Sequence, residues 1–140
     1  MCSTLTRLVS FSLLVAGLAA AATPTANEKA ASTAAENWLA QVDASRYAES
    51  WKAAAELFRA AVTPAQWEQA AKAVRQPLGK RLTRKIKSAT YQTALPGAPD
   101  GEYVVIQFET SFENKQAAIE TVTPMREKDG AWRVSGYFIK

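Results

Sequence analysis

Two glutamates in an alternating segment are the residues best placed by type and spacing to do chemistry. Val104, Ile106, Phe108, Thr110 and Phe112 alternate with Tyr103, Val105, Gln107, Glu109 and Ser111, the pattern of a strand with one face buried. With Asn114-Lys115 as the next tight turn, Phe112 pairs with Ala117, Thr110 with Ile119 and Phe108 with Thr121. That register sets Glu109 opposite Glu120 on the other face. Carboxylates about 5–5.5 Å apart serve as nucleophile and acid in retaining glycosidases, and peptidoglycan would be a suitable polymer. Such a dyad needs a water-excluding cleft to separate its two pKa values, and nothing in the sequence builds one there. The competing reading, which the sequence favours, is neutralisation by the preceding basic run of Lys80, Arg81, Arg84, Lys85 and Lys87.

Other chemistry is excluded by composition. There is no histidine, and the single cysteine is Cys2. A Ser-His-Asp triad and an imidazole base are therefore ruled out, and zinc lacks its usual ligands. No GxGxxG, P-loop or EF-hand pattern occurs. The expectation is no catalytic residue, no cofactor and no metal.

The N-terminus sets the expected compartment. Arg7 is the only charge before Glu28, an apolar stretch runs from Leu8 to Leu18, and small residues Ala19 to Ala22 follow. This is the order of a secretory signal, too short for a spanning helix of about 20 residues. Cleavage is expected after Ala22, leaving residues 23–140 as one domain in the periplasm. Cys2 leaves with the signal, so no disulfide is expected.

Helical spacing dominates the first half of that domain. Ala31, Ala34, Ala35, Trp38, Leu39 and Val42 form one stripe; Tyr47, Trp51, Ala54, Ala55, Phe58 and Val62 form a second. The third helix has a full start signal, with Thr63 as cap, Pro64 at the first position and Gln66 completing a capping box. Beyond Gly79 the period becomes two, and four antiparallel strands are predicted over Arg81–Leu95, Glu102–Glu113, Gln116–Lys128 and Ala131–Lys140. Three N-terminal helices followed by a four-stranded sheet make an α+β domain.

Asp129-Gly130, read as a two-residue hairpin turn, pairs Phe138 with Thr121, Gly136 with Thr123 and Val134 with Met125. Both hairpins then place Ile106, Phe108, Ile119, Met125, Val134 and Phe138 on the core face. The open face receives Glu109 opposite Glu120, Val122 opposite Tyr137 and Arg126 opposite Arg133, with Tyr103 nearby. Tyrosine and arginine are enriched at binding hot spots, so Tyr103, Arg126, Arg133, Tyr137, Glu109 and Glu120 are the candidate partner-binding residues. An interior pocket lined by Trp38, Trp51, Phe58, Phe108 and Phe138 is the alternative site, suited to an apolar ligand. The basic strand could touch an anionic membrane surface, or simply protect a sheet edge from aggregation. Nucleic acid is disfavoured, because the aromatics are not interleaved with the basic run.

Four strings carry a family resemblance: Val42-Asp43 with Tyr47-Ala48-Glu49-Ser50-Trp51; Arg75-Gln76-Pro77-Leu78-Gly79; Leu95-Pro96-Gly97-Ala98-Pro99-Asp100-Gly101-Glu102-Tyr103; and Trp132-Arg133-Val134-Ser135-Gly136-Tyr137. Together they resemble the bacterial domain-of-unknown-function 4019 family across nearly all of the mature chain. The resemblance implies an exported domain with helices packed on a curved antiparallel sheet, as in cystatin- and NTF2-like folds. It implies no catalytic residues. The expected function is a non-enzymatic interaction module that binds a protein partner or a second copy through the open sheet face, in an inhibitor or toxin-neutralising role among others. A small-ligand carrier is the alternative and a carboxylate hydrolase the third.

Overall fold

A computed structural model describes residues 24–140, so the expected signal segment, residues 1–22, lies outside the described residues. The chain runs through four helices, α1 (Ala26–Asp43), α2 (Tyr47–Ala53), α3 (Glu56–Ala61) and α4 (Pro64–Arg75), then four strands, β1 (Arg81–Gln92), β2 (Tyr103–Phe112), β3 (Lys115–Arg126) and β4 (Trp132–Ile139). The strands form one antiparallel sheet in the order β1-β2-β3-β4. The α+β class is as expected. Among the described residues no helix is long and apolar enough to cross a membrane.

Local sequence fixes two helix starts. Thr25 with Glu28, and Thr63 with Gln66, each form a reciprocal capping box, and Pro64 opens α4. These side chains satisfy backbone donors that have no partner within the helix.

The second expected helix is two. The break falls at Ala54 and Ala55, whose backbones are extended and whose side chains are fully buried. The Ala55 N–H donates to the Val134 carbonyl of β4 at 2.8 Å. A tertiary hydrogen bond has replaced a helical one, and only a side chain as small as alanine lets the chain approach the sheet so closely. No glycine or proline marks the place.

The sheet departs from the expected register by one residue between β2 and β3. Thr110 faces Ala118 and Phe108 faces Glu120, while Phe112 faces Lys115. Glu113-Asn114, not Asn114-Lys115, forms the turn. Because side chains alternate, this slip turns β3 over. Ala118, Glu120, Val122 and Pro124 point at the helices, and Ile119 and Met125 do not. The second turn is a three-residue loop closed by the Glu127 N–H donating to the Ala131 carbonyl, with Gly130 at φ +84°. Three-residue hairpin loops commonly place glycine in this left-handed conformation. It pairs Met125 with Arg133, and an irregularity between Thr123 and Pro124 then restores the expected pairs of Thr123 with Gly136 and Thr121 with Phe138. Val134 returns to the core through that irregularity, opposite Pro124 and not Met125.

The core lies between the helices and one sheet face. Ala31, Ala35 and Leu39 of α1 are fully buried, as are Val104, Ile106 and Val122 of the sheet. Trp38 meets Phe58, Trp67 and Tyr137 with ring centroids 5.3–6.1 Å apart, mostly edge to face, the preferred geometry for aromatic pairs. Buried Ser50 ties two indoles together: its hydroxyl accepts from Trp67 Nε1 at 2.9 Å, and its carbonyl accepts from Trp38 Nε1 at 2.8 Å.

Ser50→Ala should leave the Trp67 indole N–H buried and unpaired at a cost of about 1–3 kcal/mol. Urea unfolding should show a lowered midpoint with an unchanged slope; an unchanged midpoint would refute the role given to this hydroxyl.

Candidate functional site

On the inner face of the sheet, each of six elements contributes a polar side chain to a single cluster. Asp43 ends α1, Arg75 ends α4, and Arg84, Thr110, Glu120 and Tyr137 come from β1, β2, β3 and β4. Glu120 is completely buried. Its Oε1 accepts from Arg84 Nε at 2.7 Å and from the Thr110 hydroxyl at 2.6 Å, and its Oε2 accepts from the Tyr137 hydroxyl at 2.5 Å. Arg84 turns its two terminal nitrogens to Asp43, at 2.7 and 2.9 Å. Asp43 also accepts from Arg75 Nη2 at 2.6 Å and, at the edge of the cluster, from Arg81 Nε at 3.1 Å. Arg84 thus bridges two carboxylates, as its rigid fork of donors allows.

The backbone aims these groups. Irregularities in β1 between Arg81 and Thr83 and between Ile86 and Ser88 shift its phase, and Arg84 lands beside Thr110 on the inner face. The inverted phase of β3 brings Glu120 to the same face, and Val122 opposite Tyr137 orients β4. Arg75 lies over the Phe112 ring, 5.0 Å from its centroid, a favourable cation–π distance.

Burial opposes ionisation of Asp43, but the hydrogen bonds from Arg84 and Arg75 outweigh it and hold its pKa below the usual 3.8. The guanidinium of Arg84 is likewise pushed up, its burial overcome by the bonds to Asp43 and Glu120. Burial and the adjacent Glu120 carboxylate raise the Tyr137 hydroxyl far above its ordinary value, so it remains a neutral donor. Each carboxylate oxygen in the cluster accepts at least one hydrogen bond. The arrangement holds the charges of Asp43 and Arg84 in place by hydrogen bonds from several elements.

The structure regroups the sequence candidates. Glu109 faces Ile119, is half exposed and pairs with Lys85 at 3.2 Å, while Glu120 lies on the opposite sheet face. They form no dyad, because the one-residue slip separated them. Neutralisation by the basic strand holds instead, with Arg84 on Glu120 and Lys85 on Glu109. Tyr103 is 1% exposed and donates its hydroxyl to the Pro99 carbonyl. Tyr137 packs against Trp38 in the core. Arg126 and Arg133 are not opposite: Arg133 faces Met125 and binds Glu127 and Asp129, and Arg126 faces Trp132 and lies 3.7 Å from Glu102. The six expected contact residues therefore form no single patch: Glu120 and Tyr137 lie on the core face, while the pairing leaves Tyr103, Glu109 and Arg133 on the other, with Tyr103 buried there.

The five pocket candidates do not share one space either. Trp38, Phe58 and Phe108 are core residues, and Trp51 at the rim donates its indole N–H to the Val62 carbonyl. Phe138 follows Thr121 to the far face of the sheet and is 52% exposed. Asp43, Arg75 and Thr110 were not among the candidates for a site. Asp43 and Arg75 do stand in two of the family-like strings, a signal of position without one of role.

Phe138 and Ile119 project on the open face beside a depression of about 490 Å³ lined by Lys85, Lys115, Lys140 and Glu109. Among the described residues no group of three or more His, Cys, Asp or Glu side chains is arranged to hold a metal ion.

Two predictions follow from the cluster. Glu120→Gln keeps the shape but removes one partner of a buried ion pair, a change that costs about 3–5 kcal/mol; joint Arg84→Met and Glu120→Leu should recover much of that in chemical unfolding. Equal stability of wild type and Glu120→Gln would refute the pairing. Because the Asp43 pKa is depressed by folding, its contribution is complete above the unfolded value and is lost as pH falls through the folded one. The urea midpoint should fall as pH drops below about 5, with a shallower acid limb in Asp43→Asn; parallel limbs would exclude Asp43 as a source.

No curated protein and no solved structure matches the chain. A family model described as a protein of unknown function, DUF4019, matches residues 34–137. That span holds most of α1, all later helices and nearly the whole sheet, including every member of the buried cluster; the chain belongs to the DUF4019 family.

Proposed function

We propose that this domain is a non-enzymatic interaction module of the periplasm, reached by a cleaved signal, that docks an acidic protein partner on the open face of its sheet. The observation that carries the reading is Phe138, 52% exposed on a regular strand and projecting away from the core. A large aromatic side chain held in place by a sheet is an effective anchor for a partner's pocket, since little conformational entropy is lost on binding. Ile119 lies on the same face, and Lys85, Lys115 and Lys140 surround the adjoining depression with Glu109 as its acid. The charge excess selects an acidic surface and speeds encounter with it. It also disfavours a second copy, since two lysine-rimmed faces would repel. We take the helices-on-sheet arrangement as cystatin- or NTF2-like, and an inhibitor that presents a sheet face fits a small exported domain of this kind.

Phe138→Asp and Lys85→Glu should each abolish retention of an acidic envelope protein by the immobilised domain, with the unfolding midpoint unchanged because both side chains are exposed. Undiminished retention by both variants would remove the sheet face from consideration.

A further inference from the structure

We propose that the cleft between the α1–α2 turn and the α4–β1 turn is a binding site for a phosphate group. The cleft encloses about 320 Å³ and is lined by Asp43, Ser45, Tyr47, Arg75, Lys80 and Arg81, among others. It lies on the outer side of the buried cluster, away from the open sheet face, and is independent of the docking surface proposed above.

Its donors are in excess. Arg75, Lys80, Arg81 and Arg84 meet two cluster carboxylates, Asp43 and Glu120, and at the rim Glu113, which accepts the Lys80 backbone N–H at 2.7 Å. One positive charge remains over. Arg81 uses only Nε, on Asp43, and its two terminal nitrogens have no acceptor among the described residues. Arg75 is 8% exposed, yet its Nε has no acceptor and its Nη1 reaches only the Tyr137 hydroxyl, at 3.5 Å. Tyr47 also lines the cleft, and its hydroxyl makes no hydrogen bond among the described residues, which leaves it free to donate to an acceptor from outside.

The donor set suits phosphate. Guanidinium groups and a hydroxyl that converge from different elements match an anion with several acceptor oxygens and up to two charges. Asp43 does not oppose it. Both of its oxygens are taken up by Arg75, Arg81 and Arg84, so it positions the arginines and leaves the two terminal nitrogens of Arg81 to the cleft.

The test is calorimetric titration of the full chain at low ionic strength with inorganic phosphate, glycerol phosphate and acetate, alongside sedimentation with phosphatidylglycerol vesicles. Saturable binding of a soluble phosphate is expected, weakened at least tenfold by Arg81→Gln and by Tyr47→Phe and unaffected by Lys85→Glu on the open face. Vesicle binding that is lost in Arg81→Gln, without binding of either soluble phosphate, would support the same site and assign it to a lipid headgroup. Absence of saturable binding to every phosphate probe, tighter binding of acetate, or equal affinity in Arg81→Gln and Tyr47→Phe would overturn the proposal. Arg81 is 39% exposed, so its substitution separates loss of binding from loss of fold.

Discussion

The structure depends on one carboxylate that has no contact with water. Glu120 is wholly buried in the middle of the sheet, and burying an unpaired carboxylate would cost more than a small domain can bear. It is tolerable only because Arg84, Thr110 and Tyr137 all donate to it. Those donors belong to the three other strands, so sheet order and strand phase must both be correct before the charge is satisfied. Arg84 carries the constraint onward to Asp43, and Arg75 brings the end of α4 to the same point.

Such a cluster is not an efficient source of stability. The desolvation of two ions can exceed their mutual attraction, and well-packed apolar groups often do as well or better. Its effect here is selective. In β3 either phase offers apolar residues to the core: Ile119 and Met125 in one, Ala118, Val122 and Pro124 in the other. Hydrophobic burial alone separates the two poorly. The phase that sends Glu120 inward is the one in which Arg84, Tyr137 and Thr110 find their acceptor, and the opposite phase would leave Arg84 and Tyr137 in the core without one. A misplaced buried charge excludes the alternative register more firmly than a gain in packing would choose the right one.

That account explains which features could be read from the sequence. The α4 start was legible because its signals, Thr63, Pro64 and Gln66, are local. The α+β order and the strand positions were legible from the change of period beyond Gly79. The break at Ala54-Ala55 was not, since it is made by a carbonyl far along the chain, that of Val134. The register of β3 was read one residue off because Asn114-Lys115 and Glu113-Asn114 are comparable turn signals, and the alternation in β3 runs equally well in both phases. Once that phase is inverted, the candidate face inverts with it: Glu120 and Tyr137 move to the core, and Phe138 and Ile119 move outward. Neutralisation of the glutamates by the basic strand was legible as a matter of charge balance, which does not depend on register. The assignment of Arg84 to Glu120 was not, because two irregularities in β1 decide which of its cations points inward.

The two faces of the sheet are therefore products of a single choice. A strand cannot place Glu120 among its donors without presenting Ile119 to solvent, nor can β4 supply the Tyr137 hydroxyl without exposing Phe138 beside it. The exposed phenylalanine is the necessary neighbour of the tyrosine that satisfies the buried charge. The pairing demands a residue at that position and not an aromatic one. A polar side chain at the same position would leave the cluster intact and make the face more soluble. Phe138 is therefore exposed as a consequence of how the buried charge is satisfied, and the cluster sets no demand on the size or polarity of the side chain there.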